Sequence, residues 1–587
     1  MLDNVDKSLL PIKAHYFFFN AATGPIVPFL PTIAKQLGFS SSLVGTIYTV
    51  LPISGLVAKP LFGGLADKFN LPKTFFLLFQ VLLIISLFSI HFIPQPDAST
   101  NVTFTCQGDL FLEVRSKEGF STDVLNSIIT NKETINNPTC QLSCKASKRA
   151  YEELCPWNSK YCVTNGSNIL PNETFDLKAT INMFKDLPVD EHFTTLKISN
   201  LTFSNGITHV PACKKLLQTS CLATCHHPAL NELLRESDNY NEHTTPSSHQ
   251  FHLFLWAATA SWVCMAVIVS IADSICFNLL GNERRSDYGK QRMWGSIGFG
   301  IFGIAAGYLV DVFSEGQFQK DYTCIFFIML IFMILDLMVS STLRKKNPEC
   351  SDEPSMLKEL LTVAKEPNVW IFAWWCIGAG MCTGVVWNFL FWHTENLATI
   401  SQTKWLKTLQ GLLTGIQCFL AELPFNFLSG TILKKLGHIN VMSLVLLIYS
   451  IRFMAYSVIT NPWLFLPLEI FHGPSFGLCW PTMVSYGDKV TPPGTQATIQ
   501  GLIGAIFEGI GASSGTLLCG WIMDVYGGVI TFRVFSVGAL VWLSIFWLMQ
   551  LILRKLYTSQ RCHNHLVSYA NPDDAILMTI SQELQTY

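Results

Sequence analysis

About twelve stretches of this 587-residue chain are apolar over some 20 or more consecutive residues, and that pattern leaves few folds open. They fall at roughly 14–36, 42–66, 74–94, 251–276, 290–312, 323–343, 369–393, 406–433, 440–459, 463–486, 498–520 and 530–553. A helix of that length crosses the roughly 30 Å of hydrocarbon in a bilayer. It also satisfies its own backbone hydrogen bonds there, which an isolated strand or loop cannot do. Composition agrees: half the residues are hydrophobic and only 14% are charged, where a soluble domain carries about a quarter. A net charge of -2 offers nothing to nucleic acid, so no such partner is expected. The opening MLDNVDKSLLPIKAHYFFFN has no basic start followed by a small-residue cleavage site, so no removable signal peptide is expected. The chain reads as an all-α, multi-pass membrane protein, monomeric, with the lipid bilayer as its solvent.

Orientation follows from the basic residues. With both termini in the cytoplasm, the cytoplasmic segments hold 19 of the 39 Lys and Arg. The short outer loops hold five: Lys35, Lys320, Lys404, Lys407 and Arg533. Lys59 and Arg452 lie within spans, and the remaining 13 fall in one long loop. Basic residues collect on the cytoplasmic side, so both termini are expected there, with the plasma membrane as the expected residence.

Residues 95–250, between the third and fourth spans, are polar and hold eight cysteines: Cys106, Cys140, Cys144, Cys155, Cys162, Cys213, Cys221 and Cys225. They also hold the four N-x-S/T acceptors of the chain, Asn101, Asn165, Asn172 and Asn200. The orientation places this loop outside the cytosol, where glycans and disulfides form. CQLSC and CLATC are C-x3-C pairs; four bridges are possible and the pairing is not readable from spacing. An extracellular, glycosylated, disulfide-braced loop is expected, and a zinc site is disfavoured by the scarcity of nearby histidines. The remaining divisions are 1–94 (spans one to three), 251–343 (four to six), a cytoplasmic central loop 344–368, 369–553 (seven to twelve) and a cytoplasmic tail 554–587.

The chain also repeats itself. GGLADKFN at Gly63–Asn70 resembles SGTILKKLG at Ser429–Gly437, with Gly63 matching Gly430 at an offset of 367. GYLVDVF at Gly307–Phe313 resembles GWIMDVY at Gly520–Tyr526, at an offset of 213. The offsets differ by 367 − 213 = 154 residues, close to the length of the long loop. Two six-helix halves, the first carrying one large insertion, account for both.

Ionisable groups inside the spans demand a reason, since each costs at least ~2.5 kcal/mol at the bilayer centre. They are Asp273, Arg292, Glu422, Arg452, Glu469, His472 and Glu508. In a two-half membrane protein such groups are expected to line a midplane site between the repeats. At ~1.5 Å rise per residue, Arg452 and Glu469 sit at similar depth, so they can pair. A buried carboxylate beside arginine stays charged and, without it, takes up a proton. His472, one helical turn from Glu469, is of the type that changes charge near neutral pH and could share that proton. The plainer alternative is a static ion pair joining two helices. Glu508 lies in the glycine-rich GLIGAIFEGIGASSG and could serve only as a hydrogen-bond partner. Asp336 and Lys59 read as structural or snorkelling, and Trp374 and Trp375 as lipid-facing bulk.

These residues carry a family resemblance. Gly63-x-Leu65-Ala66-Asp67-Lys68 resembles the signature loop of the major facilitator superfamily, with Asn70 in place of its second glycine and Leu71-Pro72 in place of its basic residues. The resemblance makes Gly63, Asp67 and Lys68 a conformational latch. PLFGGLADKFNLPK (Pro60–Lys73), YGKQRMWGSIGFG (Tyr288–Gly300) and SIRFMAYS (Ser450–Ser457) are similar to the lactose-permease-like branch. It implies that Arg292 and Asp273 bind substrate, that Phe299 stands where a sugar-stacking tryptophan would, and that Arg452 works with the proton site. Glu422 falls about one turn from that branch's substrate-binding glutamate. The branch carries a histidine and then a glutamate three residues later, whereas here Glu469 precedes His472. Among animal proteins, the cysteine-rich loop and GKQRMWGSIGFG resemble the major facilitator superfamily domain-containing protein 6 group.

The expected function is secondary transport of a small polar solute, sugar- or nucleoside-like, by proton-coupled symport with alternating access. Asp273, Arg292, Phe299 and Glu422 would hold the solute and Arg452, Glu469 and His472 the proton. No cofactor beyond the coupling proton is expected. The rival expectation is a non-transporting cell-surface receptor whose cysteine-rich loop binds an extracellular protein ligand. No H-E-x-x-H, paired-aspartate or G-x-S-x-G site suggests an enzyme.

Overall fold

The computed structural model describes residues 9–69, 71–94, 99–107, 109–115, 139–145, 150, 154–155, 174–182, 189–190, 193–203, 206, 208–210, 217–225, 248–280, 288–315, 320–343, 367–399, 402, 404–490 and 502–569. Among them, ten helices are long and apolar enough to cross a membrane. The first unit joins α1 (Leu10–Thr23) and α2 (Leu30–Gln36) through a 3-10 turn at Val27–Phe29. Pro25, Pro28 and Pro31 explain that break, since proline supplies no N–H to the ladder. There follow α3 (Ser41–Lys68), α4 (Pro72–Ile90), α5 (His249–Leu280), α6 (Tyr288–Phe313), α7 (Thr323–Ser341) and α8 (Pro367–Leu397). Next come α9 (Leu406–Ile416), a π-helical stretch at Gln417–Glu422, α10 (Leu423–Leu436) and α11 (His438–Val458). The last helix, α13 (Ser513–Tyr569), is interrupted at Gly527, whose φ of 77° and ψ of 167° suit glycine alone.

One expectation fails locally. The stretch expected as a regular helix at 463–486 is broken into a 3-10 turn at Pro462–Leu464, a short α turn at Phe465–Leu468, a second 3-10 turn at Glu469–Phe471 and a π turn at Gly473–Gly477. Only then does α12 (Cys479–Val490) begin. Pro467, Pro474 and two glycines interrupt the ladder. Such backbone is tolerated at membrane depth where protein covers it, and Glu469, Gly473, Ser475 and Gly477 are all buried. The proposed latch residues Gly63, Asp67 and Lys68 fall in the last turns of α3, within the helix rather than in a loop. Their side chains lie outside the described residues.

The internal repeat is visible in three dimensions. Gly307 lets α6 approach α9 so closely that a Cβ there would lie 2.1 Å from the Lys407 carbonyl. Gly520 does the same for α13 against α3, where a Cβ would lie 2.5 Å from the Ser41 carbonyl. One turn on, Asp311 accepts from the Thr408 N–H (2.6 Å) and hydroxyl (2.8 Å), while Asp524 accepts from the Ser41 hydroxyl (3.4 Å). Asp311 and Asp524 are again 213 apart, and Ser41 and Thr408 again 367. Both sequence offsets therefore join the two halves at one end of the bundle, through two equivalent glycine contacts.

The cysteine-rich segment between α4 and α5 folds as β-structure, so the all-α description holds only for the membrane helices. Strands β1 (Ser99–Gln107), β2 (Asp109–Arg115), β3 (Thr139–Lys145), β4 (Thr174–Asn182), β5 (Val189–Asp190), β6 (Phe193–Phe203), β7 (Thr208–His209) and β8 (Leu217–Cys225) are all antiparallel. The order β2-β1-β8-β3-β4-β6 closes on itself through β6–β2, giving a barrel with no free edge along that path. Alternate side chains such as Phe104, Leu112, Leu142, Leu177 and Leu196 fill its interior. CQLSC and CLATC lie on neighbouring strands and bridge each other, Cys140 to Cys225 and Cys144 to Cys221. Cys106 and Cys155 are also disulfide-bonded; Cys162 and Cys213 lie outside the described residues. Asn101 is exposed on β1 and Asn200 half-exposed on β6, and Asn165 and Asn172 lie outside the described residues.

The Cys140–Cys225 and Cys144–Cys221 bridges are nested, closing separations of 85 and 77 residues. Removing one pair leaves the long loop closed by the other and should cost about 2 kcal/mol; removing both should cost at least about 4 kcal/mol. Thermal unfolding of the barrel in the full chain, read for each cysteine-to-serine pair and for the quadruple variant, checks this more-than-single loss.

Candidate functional site

The irregular turns after Pro462 set Glu469 against α11. There Arg452 pairs with the Glu469 carboxylate, and the Tyr456 hydroxyl donates to the other carboxylate oxygen. Tyr456 in turn accepts from Arg452 Nε (2.6 Å). The Gln417 amide, on the π stretch after α9, donates to Glu469 at 2.6 Å. Arg452, Tyr456 and Glu469 are wholly buried. The depth argument from sequence thus brings together the right pair. It missed Tyr456 and Gln417, which carry no charge to betray them. Tyr456 was findable, because it sits one turn from Arg452 on the same face of α11.

His472 is placed differently from expectation. Arg452 donates to its Nδ1 (3.1 Å) and to the Ser475 hydroxyl (3.2 Å). A ring nitrogen that accepts from guanidinium bears no proton, so the imidazole's own N–H is on Nε2. The partner that Nδ1 meets is Arg452, not Glu469, so direct proton sharing with Glu469 is not what this geometry offers.

A second group forms where α1, α5 and α6 meet. Tyr16 donates to Asp273 at 2.8 Å, Arg292 lies 3.7 Å from the other Asp273 oxygen, and Arg292 also donates to the Tyr288 hydroxyl at 3.0 Å. Phe277 stacks on Tyr288 with centroids 4.5 Å apart. The Arg292 and Asp273 side chains keep 46% and 23% of their surface exposed, in contrast to the closed Arg452 group. The charge of Arg292 also acts on Glu422, which lies in the other half at the end of the π stretch. Asp273 and Arg292 are therefore brought together in the first half, with Glu422 of the second half within range of the Arg292 charge. Phe299 is half-buried on α6, where its backbone packs against Gly24 of the first unit.

Glu508 and Lys59, each given a lesser role by sequence, face each other across the halves at 3.6 Å. Trp375 is not lipid-facing: it is fully buried and donates to the Met442 carbonyl at 2.9 Å. Trp374 stacks on Trp542 at 3.8 Å. At the end of the bundle where the barrel is inserted, Lys35 of the first half meets Glu395 (3.3 Å) and Asn396 (2.6 Å) of the second, and the buried Lys407 pairs with the same Glu395. Lys320 reaches Asp311 at 2.7 Å. The Lys35–Glu395 pair and the two glycine contacts hold the halves together at that end, while Lys407–Glu395 and Lys320–Asp311 brace the second and the first half within themselves.

Two helical halves with charged groups between them define a membrane transport protein of the major facilitator type. The MFS_1 like family model matches residues 9–534, and the chain belongs to that family. It is 22% identical to major facilitator superfamily domain-containing protein 6-like protein B of Xenopus laevis, over 93% of this chain and 91% of the relative. It is 23% identical to the maltose permease of Geobacillus stearothermophilus, over 50% of this chain and 70% of the permease. The nucleoside transporter NupG shares the fold with a TM-score of 0.56 at 12% identity, covering 92% of this chain and 99% of that one. The family is one of transporters, so the chain is not an enzyme. Nothing in these likenesses supports the receptor reading.

Proposed function

We propose that this chain is a proton-coupled symporter of a small polar solute, sugar- or nucleoside-like, working by alternating access. The observation that carries the reading is the partly exposed Asp273–Arg292 pair, whose guanidinium charge reaches Glu422 of the other half. A carboxylate, a guanidinium and a tyrosine hydroxyl together supply the donors and acceptors that a polyhydroxylated solute needs. The permease and nucleoside-transporter likenesses point to the same solute classes. Glu469 is the proposed proton acceptor. Protonation would remove its charge and release Arg452 from Glu469, leaving it held by His472 and Ser475 and loosening the joint between α11 and the broken segment. The coupling proton is the sole cofactor in this scheme.

The reading counts twelve spans: the ten apolar helices, one more because Gly527 divides the last of them, and the broken Pro462–Val490 segment. It places both termini in the cytoplasm of a plasma-membrane protein and the glycosylated barrel outside. The test is uptake of labelled sugars and nucleosides at outside pH of about 5.5 and 7.5, the range over which His and perturbed carboxyl groups change charge. Glu469→Gln at matched surface expression should abolish acid-stimulated accumulation while leaving solute exchange partly intact. Unchanged accumulation would remove Glu469 from the proton path.

A further inference from the structure

The first half contains an ionisable group that the proposed cycle does not use. His15 on α1 meets Asp336 on α7 with Nδ1 and Oδ1 2.7 Å apart. The side-chain amide of Gln80 on α4 lies 2.7 Å from the other Asp336 oxygen and 2.9 Å from the Ser340 hydroxyl. Ser340 also lies 3.4 Å from His15 Nδ1 and from Asp336 Oδ1. All four side chains are buried, His15 at 1% exposure and the others at zero. The rings of Phe76 (5.0 Å), Phe19 and Tyr16 (each 5.6 Å) surround the imidazole. Lys73 of α4 donates to the Ser341 carbonyl (2.5 Å) at the adjoining end of α7.

We propose that His15 and Asp336 form a second proton-binding site, coupled to the solute site through α1. An intramembrane ionisable pair costs several kcal/mol unless it is used or fully compensated. Here the compensation suits two protonation states. As placed, the Gln80 amide nitrogen donates to the carboxylate, and its Oε1 is left buried without a partner. Turning the amide puts that acceptor where the nitrogen was, where it receives the O–H of a protonated Asp336 and the O–H of Ser340. The pair can therefore gain one proton, on Asp336, without leaving that proton unpartnered.

The route to the solute is short. Tyr16, the next residue of α1, is the donor to Asp273. On its other side α1 packs so closely on α6 that a Cβ at Gly298 would lie 2.5 Å from the Phe17 carbonyl. α6 carries Arg292. A change in how His15 holds α1 against α4 and α7 must therefore pass to both members of the Asp273–Arg292 pair.

The test needs no solute, so its failure is distinct from failure of the transport reading. Infrared difference spectra of the full-length protein in lipid, between about pH 7.5 and 5.5, should show a protonated-carboxyl C=O band. One component of it should vanish in Asp336→Asn, persist in Glu469→Gln, which removes only the component due to Glu469, and shift in frequency in Asp336→Glu, which keeps a titratable acid should the asparagine variant misfold. His15→Gln should move the pH at which it appears. A band unchanged by both Asp336 variants, or no band in the native protein, would overturn the proposal.

Discussion

Arg452→Met should destabilise the protein by about 3–5 kcal/mol, the cost of leaving a buried charge without its partner. The guanidinium is the hub of its group: it pairs with Glu469, donates to Tyr456 and reaches His472 and Ser475. Methionine fills similar volume and removes every one of those donors. Glu469 would keep Tyr456 and Gln417 but lose its countercharge. The double variant Arg452→Met/Glu469→Gln removes the stranded charge and should recover most of the loss. Thermal unfolding in detergent or lipid measures all four corners of the cycle. The coupling separates two roles that sequence left open. A purely static pair predicts that the double variant is nearly as stable as the native protein and transports normally. A proton site predicts restored stability with acid-driven accumulation still absent. A loss below about 1 kcal/mol for Arg452→Met, the size of an exposed pair, would show that the group is not sealed as described.

The parts of this architecture that sequence revealed are those written in local or strictly periodic terms. Apolar length located the spans because crossing hydrocarbon is a demand on each segment separately. Depth counting paired Arg452 with Glu469 because helical rise converts sequence distance to height. The repeat was legible from glycines because close helix approach admits no substitute at Gly307 and Gly520. The barrel was not legible. Its inward positions use Cys221, Ala223 and Thr219 as well as Leu and Phe, so LQTSCLATC alternates in burial without alternating clearly in hydropathy. The cysteines themselves drew the eye to bridges and away from the strands they join. The break at Pro462–Gly477 was hidden because a run of apolar residues reads as helix whether or not proline and glycine interrupt its ladder. Tyr16, Gln80 and His15 were missed for a common reason: each matters through a partner more than 250 residues away, and nothing local marks it.

Gly307→Val and Gly520→Val should each open the end of the bundle that carries the barrel, and by similar amounts. A Cβ at either position meets a backbone carbonyl, at 2.1 Å or 2.5 Å, and backbone cannot swing aside as a side chain does. The helices must separate or the contact must be abandoned. Overpacking of this kind costs typically 1–3 kcal/mol. If the protein alternates between two states, that cost falls on the state in which these helices touch. A bias of 1–3 kcal/mol shifts the populations about 5–150-fold. The ion pair Lys35–Glu395, which joins the halves at the same end, opposes the shift, but it is partly exposed and weaker than a backbone clash. Distances between spin labels placed across that end should lengthen in both variants. Gly430→Val supplies the control, since a Cβ there meets nothing within 4 Å. The two contacts are related by the internal repeat, so their effects must share a sign. Opposite shifts, or a shift in the Gly430 variant alone, would mean that these glycines serve packing within one rigid body and that the halves part somewhere else.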